Sequence, residues 1–144
     1  MDNFLNFSGS TSLALHAMAF IASNPDRLVT AREIASALDA SEAHLHKVLK
    51  RLVNAKILKS TRGPKGGVKL RKLVEDVRLI DIVESVEGTV VSDTCLLGTR
   101  VCIGNKCVFG SLLTLVNTQV MNYLKNSTLS DVTGLFESMT PVRT

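Results

Sequence analysis

The chain has 144 residues and a mass of 15.6 kDa, the size of one ordinary domain, and its 45% hydrophobic content excludes a fully disordered polypeptide. Aromatic residues make up 4% with no Trp, which argues against an aromatic platform for carbohydrate or single-stranded nucleic acid. The net charge of +4 divides unevenly: residues 1–72 hold twelve Lys and Arg against five Asp and Glu (+7), and residues 73–144 hold five against eight (-3), as in a nucleic-acid reader carrying a separate sensing or pairing segment.

In chain order, Leu13, Ala14, Ala17, Met18, Phe20 and Ile21 recur at helical spacing behind Ser10-Thr11-Ser12, which can cap a first helix, and Asn24-Pro25-Asp26 ends it. The start Met1-Asp2-Asn3 is acidic, the first basic residue is Arg27, and His16 interrupts the apolar run from Leu13 to Ala22. Neither a signal peptide nor a membrane span fits this pattern, so a cytoplasmic protein with reduced thiols and no membrane partner is expected. Thr30-Ala31-Arg32-Glu33 spells a capping box for a second, short helix through Leu38. Asp39-Ala40 break the chain, and Ser41 caps a third helix with the apolar stripe Leu45, Val48, Leu49 and Leu52. The remaining faces carry Glu42, His44, His46, Lys47, Lys50 and Arg51, a surface suited to an anionic partner.

Ile57–Thr61 and Val68–Leu70 read as two strands around the tip Arg62-Gly63-Pro64-Lys65-Gly66-Gly67, a hairpin with a basic, glycine-rich end. The tip lacks the spacing of a phosphate-cradling nucleotide loop and precedes a strand instead of a helix. Leu79, Ile82, Val83 and Val86 mark a short amphipathic helix ended by Gly88. From Phe109 to Leu124, the residues Leu112, Leu113, Leu115, Val116, Val120, Tyr123 and Leu124 mark the longest helix, with an apolar face wide enough to call for a second copy of the chain. A terminal helix around Ser130–Glu137 is expected to pack back over it.

Helix, turn, helix and basic hairpin in this order form the plan of a winged helix-turn-helix DNA-binding domain. The fold class is therefore mainly α, with a two-stranded wing and a long C-terminal dimerisation helix. Ser41, Ala43, His44, His46 and Lys47 stand where the third helix meets base edges, while Lys50, Lys59, Arg62 and Lys65 are placed for phosphates. The organisation reads as a DNA-binding domain over 1–72, a connecting helix over 73–91, a cysteine-containing loop over 92–108, and a dimerisation helix with C-terminal segment over 109–144. An enzyme is rejected: a nucleophilic Cys needs a positioned base, and His44 and His46 already sit on the DNA-reading helix. Glu84 and Glu87, one turn apart, read as an exposed salt-bridging face.

Cys95, Cys102 and Cys107 are the chain's three cysteines, an odd and clustered set that makes a poor disulfide framework. With Gly98 and Gly104 allowing sharp turns, three thiolates can converge on one soft metal centre, and thiolates are the usual ligands of iron-sulfur clusters. A zinc ion bound by three thiolates and an imidazole is an alternative, as is reversible thiol oxidation.

Ala14-Leu15-His16, Ile34-Ala35, Ser41 with Leu45, Val48-Leu49-Lys50-Arg51-Leu52, the wing Lys59-Ser60-x-Arg62-Gly63-Pro64-x-Gly66-Gly67-x-x-Leu70, and Ile82–Gly88 together resemble the bacterial winged-helix regulator family that includes IscR, NsrR and CymR. The resemblance implies a homodimeric transcription regulator on double-stranded, palindromic operator DNA. Cluster-binding members of that family place three cysteines between the connecting helix and the long helix, as this chain does. The C-x6-C-x4-C arrangement departs from the even C-x5-C-x5-C of the best-known ones, and Gly110 stands where some have a histidine. In other members the first helix of the partner subunit completes the ligation; His16 occupies a position that can do so, whereas Ser12 lacks the carboxylate some members carry. An imidazole ligand favours a 2Fe-2S over a 4Fe-4S cluster. A cluster-free thiol- or zinc-based repressor is the second reading, and a dimeric interaction protein that merely shares the scaffold is the third.

Overall fold

The computed structural model describes residues 7–90, 95, 101–102 and 106–136, and in them five α-helices surround one buried apolar cluster with a two-stranded sheet at its edge. The central element is α1 (Gly9–Ala22), which packs against the second, third and fourth helices, the second strand and the terminal turns. That setting explains why Ala14, Ala17, Met18, Ala19, Ile21 and Ala22 are all buried, on more than one face of the helix. The helix begins earlier than Ser10-Thr11-Ser12 suggest. Ser8 is the cap, its hydroxyl accepting from the Thr11 backbone N–H at 3.1 Å, and Thr11 is 0% exposed within the first turn.

The second helix, α2 (Ala31–Leu38), starts with the expected capping box: the Thr30 hydroxyl accepts from the Glu33 backbone N–H at 3.1 Å, and the Glu33 carboxylate accepts from the Thr30 N–H at 2.8 Å. Asp39 takes a left-handed conformation (φ 50°, ψ 48°) that turns the chain into α3 (Glu42–Asn54), capped by Ser41. Strands β1 (Leu58–Thr61) and β2 (Gly67–Leu70) pair antiparallel, Leu58 opposite Leu70 and Thr61 opposite Gly67, each within a residue of the expected bounds. Val29 adds a third rung that periodicity does not reveal. Its N–H donates to Val68 O at 2.9 Å, and its carbonyl accepts from Val68 N–H at 2.8 Å. The two glycines ending the tip answer to close approach: a Cβ on Gly66 would stand 2.2 Å from Thr61 O, and one on Gly67 2.7 Å from Val29 O.

The fourth helix, α4 (Leu79–Glu87), buries Leu79, Ile80, Ile82, Val83 and Val86 against α1 and α3 and ends at Gly88. A turn over Cys107–Gly110 precedes α5 (Leu112–Asn126), which at 15 residues and about 1.5 Å each is the longest helix among the described residues. Only its C-terminal part docks on the core, through Leu124, Val120 and Met121. The chain after α5 then runs beside the entry to α4, with Leu79 N–H donating to Ser127 O at 3.0 Å and Leu129 N–H to Val77 O at 2.9 Å.

The C-terminal segment corrects the expected helix over Ser130–Glu137. Leu129–Asp131 and Thr133–Phe136 form two short 3-10 turns instead. They pack on α1 and leave α5 uncovered: the Phe20 and Phe136 rings meet edge to face at 5.8 Å, and the Ser23 hydroxyl donates to Thr133 O. Gly134 inside this stretch and the pairing of its start with Val77 favour a tight turn over a regular helix. Met1-Asp2-Asn3, Gly98, Gly104 and Glu137 lie outside the described residues.

Candidate nucleic-acid interface and cysteine segment

The apolar stripe of α3 is buried as its period demands, Leu45 and Leu52 fully so, and this fixes which residues face outward. Ser41, Ala43, His44, His46, Lys47 and Lys50 are exposed along the helix; Lys59, Arg62 and Lys65 are exposed on the wing. The result is a cationic surface formed by one helix and one hairpin, with imidazole, ammonium and guanidinium groups able to meet phosphates and base edges. His46 Nε2 lies 3.6 Å from the Glu42 carboxylate one turn away. Among the described residues no helix is long and apolar enough to cross a membrane.

Two basic-face residues are engaged by other helices of the fold. Arg51 turns its guanidinium inward along the surface and donates to Val86 O at 2.8 Å, at the end of α4. His44 is tied to α1, its Nε2 standing 2.9 Å from the Ser10 hydroxyl, and its backbone N–H donates to Ser41 Oγ at 3.3 Å. The same junction corrects the reading of Glu87 as part of a salt-bridging face: its carboxylate accepts from the hydroxyls of Ser8 and Thr11. These bonds, helped by nearby Arg51, outweigh burial and hold the Glu87 carboxyl below the usual carboxylate range. Residues of α1, α3 and α4 therefore converge where the cysteine segment departs. The roles of Ser8, Ser10 and Glu87 escape sequence reading; a serine two residues before a second serine is the faint signal for a cap, but nothing local marks its distant partners.

Cys95 is partly buried, Cys102 and Cys107 are exposed, and no disulfide joins them. His16 is exposed on α1, and its Nδ1–H donates to Ser12 O at 2.6 Å, which turns Nε2 away from the helix backbone. A ring so held has the orientation of a metal-binding imidazole, which commonly gives its other N–H to a carbonyl. Among the described residues, no three His, Cys, Asp or Glu side chains come close enough within one chain to hold a metal ion. The structure thus supplies suitable donors without gathering Cys95, Cys102, Cys107 and His16 in a single subunit. An open cleft of about 440 Å³, lined in part by Ser12, His16, Ser41 and His44, runs between α1 and the start of α3.

The chain is similar along almost all its length to known regulators. The model of the Rrf2 family, described as iron-dependent transcriptional regulators, matches residues 7–134. A protein of Aquifex aeolicus described as an HTH-type transcriptional regulator is 30% identical over 134 residues, 91% of this chain and 93% of its own. Among solved structures, CymR of B. subtilis, titled the global cysteine regulator of that organism, superposes with a TM-score of 0.76 at 24% identity, covering 92% of this chain and 98% of its own. IscR of T. potens superposes with a TM-score of 0.72 at 24% identity, covering 95% and 93%. With the winged helix, the exposed basic surface and this family match together, the chain belongs to the Rrf2 family and is a DNA-binding transcription regulator, not an enzyme.

Proposed function

We propose that this regulator works as a homodimer on palindromic double-stranded DNA, and that an iron-sulfur cluster bound at Cys95, Cys102 and Cys107 sets its operator affinity. His16 of the partner subunit completes the ligation. The division of labour is a reader over 1–72, a connecting helix over 73–91, a cluster segment over 92–108 and a pairing segment over 109–144. The carrying observation is the donor set: Cys95, the exposed Cys102 and Cys107, and an exposed imidazole whose Nδ1–H is already spent on Ser12 O. Such donors fit a thiolate-ligated centre with one nitrogen ligand, for which 2Fe-2S is favoured over 4Fe-4S.

The pairing surface has its own support. On α5, Leu112, Leu115, Val116 and Tyr123 form one stripe that stays exposed, Leu115 at 60% and Tyr123 at 59%, while Leu124, Val120 and Met121 on another stripe dock on the core. A second copy covering the exposed stripe brings α1 of one subunit toward the cysteine segment of the other. In each reader, α3 enters the major groove with Ser41, Ala43, His44, His46 and Lys47 at base edges, and Lys50, Lys59, Arg62 and Lys65 hold phosphates. When bound, the cluster supplies bonds whose gain or loss with redox state, nitric oxide or iron supply gives the differential energy between two dimer geometries. His16 and Ser10 share α1, and Ser10 holds His44, so a pull on α1 reaches the first turn of the reading helix.

Protein purified without oxygen is expected to be brown, with iron and sulfide in equal amounts, and Cys102→Ala to be colourless yet dimeric. The exposure of Cys102 and Cys107 favours a second reading, a thiol-responsive or zinc-bound regulator without a cluster. A colourless anaerobic preparation with full thiol content and one equivalent of zinc overturns the first reading in favour of the second.

A further inference from the structure

We propose that Ser10, a residue of α1 outside the helix-turn-helix, is a specificity-determining residue of DNA reading: its hydroxyl fixes the ring of His44 and selects which ring nitrogen faces the duplex. The inference rests on the reading of His44 as a base contact. His44 sits in the first turn of α3, exposed, with its backbone fixed by the Ser41 cap. Its ring is tethered at Nε2 by the Ser10 hydroxyl at 2.9 Å, which leaves Nδ1 as the ring nitrogen available to a partner. The two ring nitrogens of an imidazole are fixed relative to one another by the planar ring, so a tether at one sets where the other points. His44 then presents Nδ1 to the groove, held in one position against the hydrogen-bonding edge of a base.

This arrangement separates Ser10 from residues that only fill space. The hydroxyl acts through His44 and not on DNA, and its loss frees the ring to rotate, which blurs the preference at one base pair. Phosphate contacts by Lys50, Lys59, Arg62 and Lys65 are unaffected, so overall affinity in salt titrations keeps its slope.

The test uses the full chain and a duplex library randomised at each position of a site selected by the wild-type protein, with the bound fraction sequenced. His44→Ala is expected to flatten the preference at one position of each half-site by roughly fivefold to tenfold. Ser10→Ala is expected to flatten the same position, Ser10→Thr to retain the preference, and Ser10→Ala to add nothing in the His44→Ala background. Ser10→Ala with the wild-type preference intact, where His44→Ala has lost it, overturns the inference and leaves the reading of His44 standing. A wild-type profile at every position for His44→Ala overturns both. Thermal unfolding of each variant confirms that the compared proteins are folded, and Ser10→Val, which has the shape of the threonine variant without its hydroxyl, replaces Ser10→Ala should the latter not fold.

Discussion

Replacing Arg51 with Gln distinguishes a structural role for this residue from a phosphate contact, because the two roles move different measurements. In the structure Nη1 donates to Val86 O at 2.8 Å, on the last turn of α4, where carbonyls lack helical partners. A hydrogen bond from a charged donor contributes about 1.5–3 kcal/mol, and a cation at a helix C-terminus about 0.3–1 kcal/mol. Since Arg51 is exposed, solvent screens part of this, and a loss of about 1.5–2 kcal/mol is expected. For a chain of this length that lowers Tm by roughly 4–8 °C. Thermal unfolding followed by circular dichroism reads the stability, and fluorescence anisotropy with a labelled operator from about 50 to 200 mM salt reads the phosphate count. The expected result is a lower Tm with an unchanged salt slope. An Arg51→Gln protein that melts with the wild type and whose slope falls by about 0.9 for each copy of Arg51 refutes the reasoning, and shows that the guanidinium serves DNA.

Lys65→Ala should behave in the opposite way, leaving Tm alone and reducing the slope by about 0.9 per subunit, or about 1.8 in a dimer, so that its affinity falls roughly twelvefold less over a fourfold rise in salt; an unchanged slope removes Lys65 from the phosphate contacts. Glu87→Gln should be less stable than the wild type at neutral pH, because the carboxylate accepting from Ser8 and Thr11 is held in its charged form. A carboxyl depressed in the folded state stabilises above its unfolded pKa and loses that contribution as pH falls through the folded value, so the gap between the two proteins should close in acid. Chemical unfolding at neutral and acidic pH checks this, and a gap that widens toward low pH contradicts it.

The elements legible in the sequence are those whose causes are local. The α3 stripe of Leu45, Val48, Leu49 and Leu52, the Thr30 to Glu33 capping box and the wing glycines all act within a few residues, and each appears where expected. The start of α1 depends on distant residues. Ser10, Thr11 and Ser12 look as good a cap as Ser8 until Glu87 draws in both Ser8 and Thr11 from the far end of α4. The charge of Arg51 is visible in the sequence, but its acceptor lies on another helix and is a backbone atom, which no side-chain pattern encodes. The terminal segment is expected as a helix around Ser130–Glu137, whereas its conformation follows from pairing with Val77 and contact with Phe20. For the candidate site, the types and order of the cysteines and the exposed basic residues are legible. Their spatial assembly is not, because the segment between α4 and α5 has no periodicity to interpret.

Val29 bears on how a signal reaches DNA. A two-stranded hairpin in water is at best marginally stable, and by itself it would swing on its ends. The double hydrogen bond between Val29 and Val68 fastens the wing to the segment that opens α2, and the fit of Gly67 against the Val29 carbonyl leaves no slack there. Wing and recognition helix therefore keep one spacing, like two prongs on a common handle. In the proposed dimer, a change sensed elsewhere then tilts or separates whole reading heads instead of adjusting one prong against the other, so regulation should alter the tolerated distance between operator half-sites before it alters the contacts within either half.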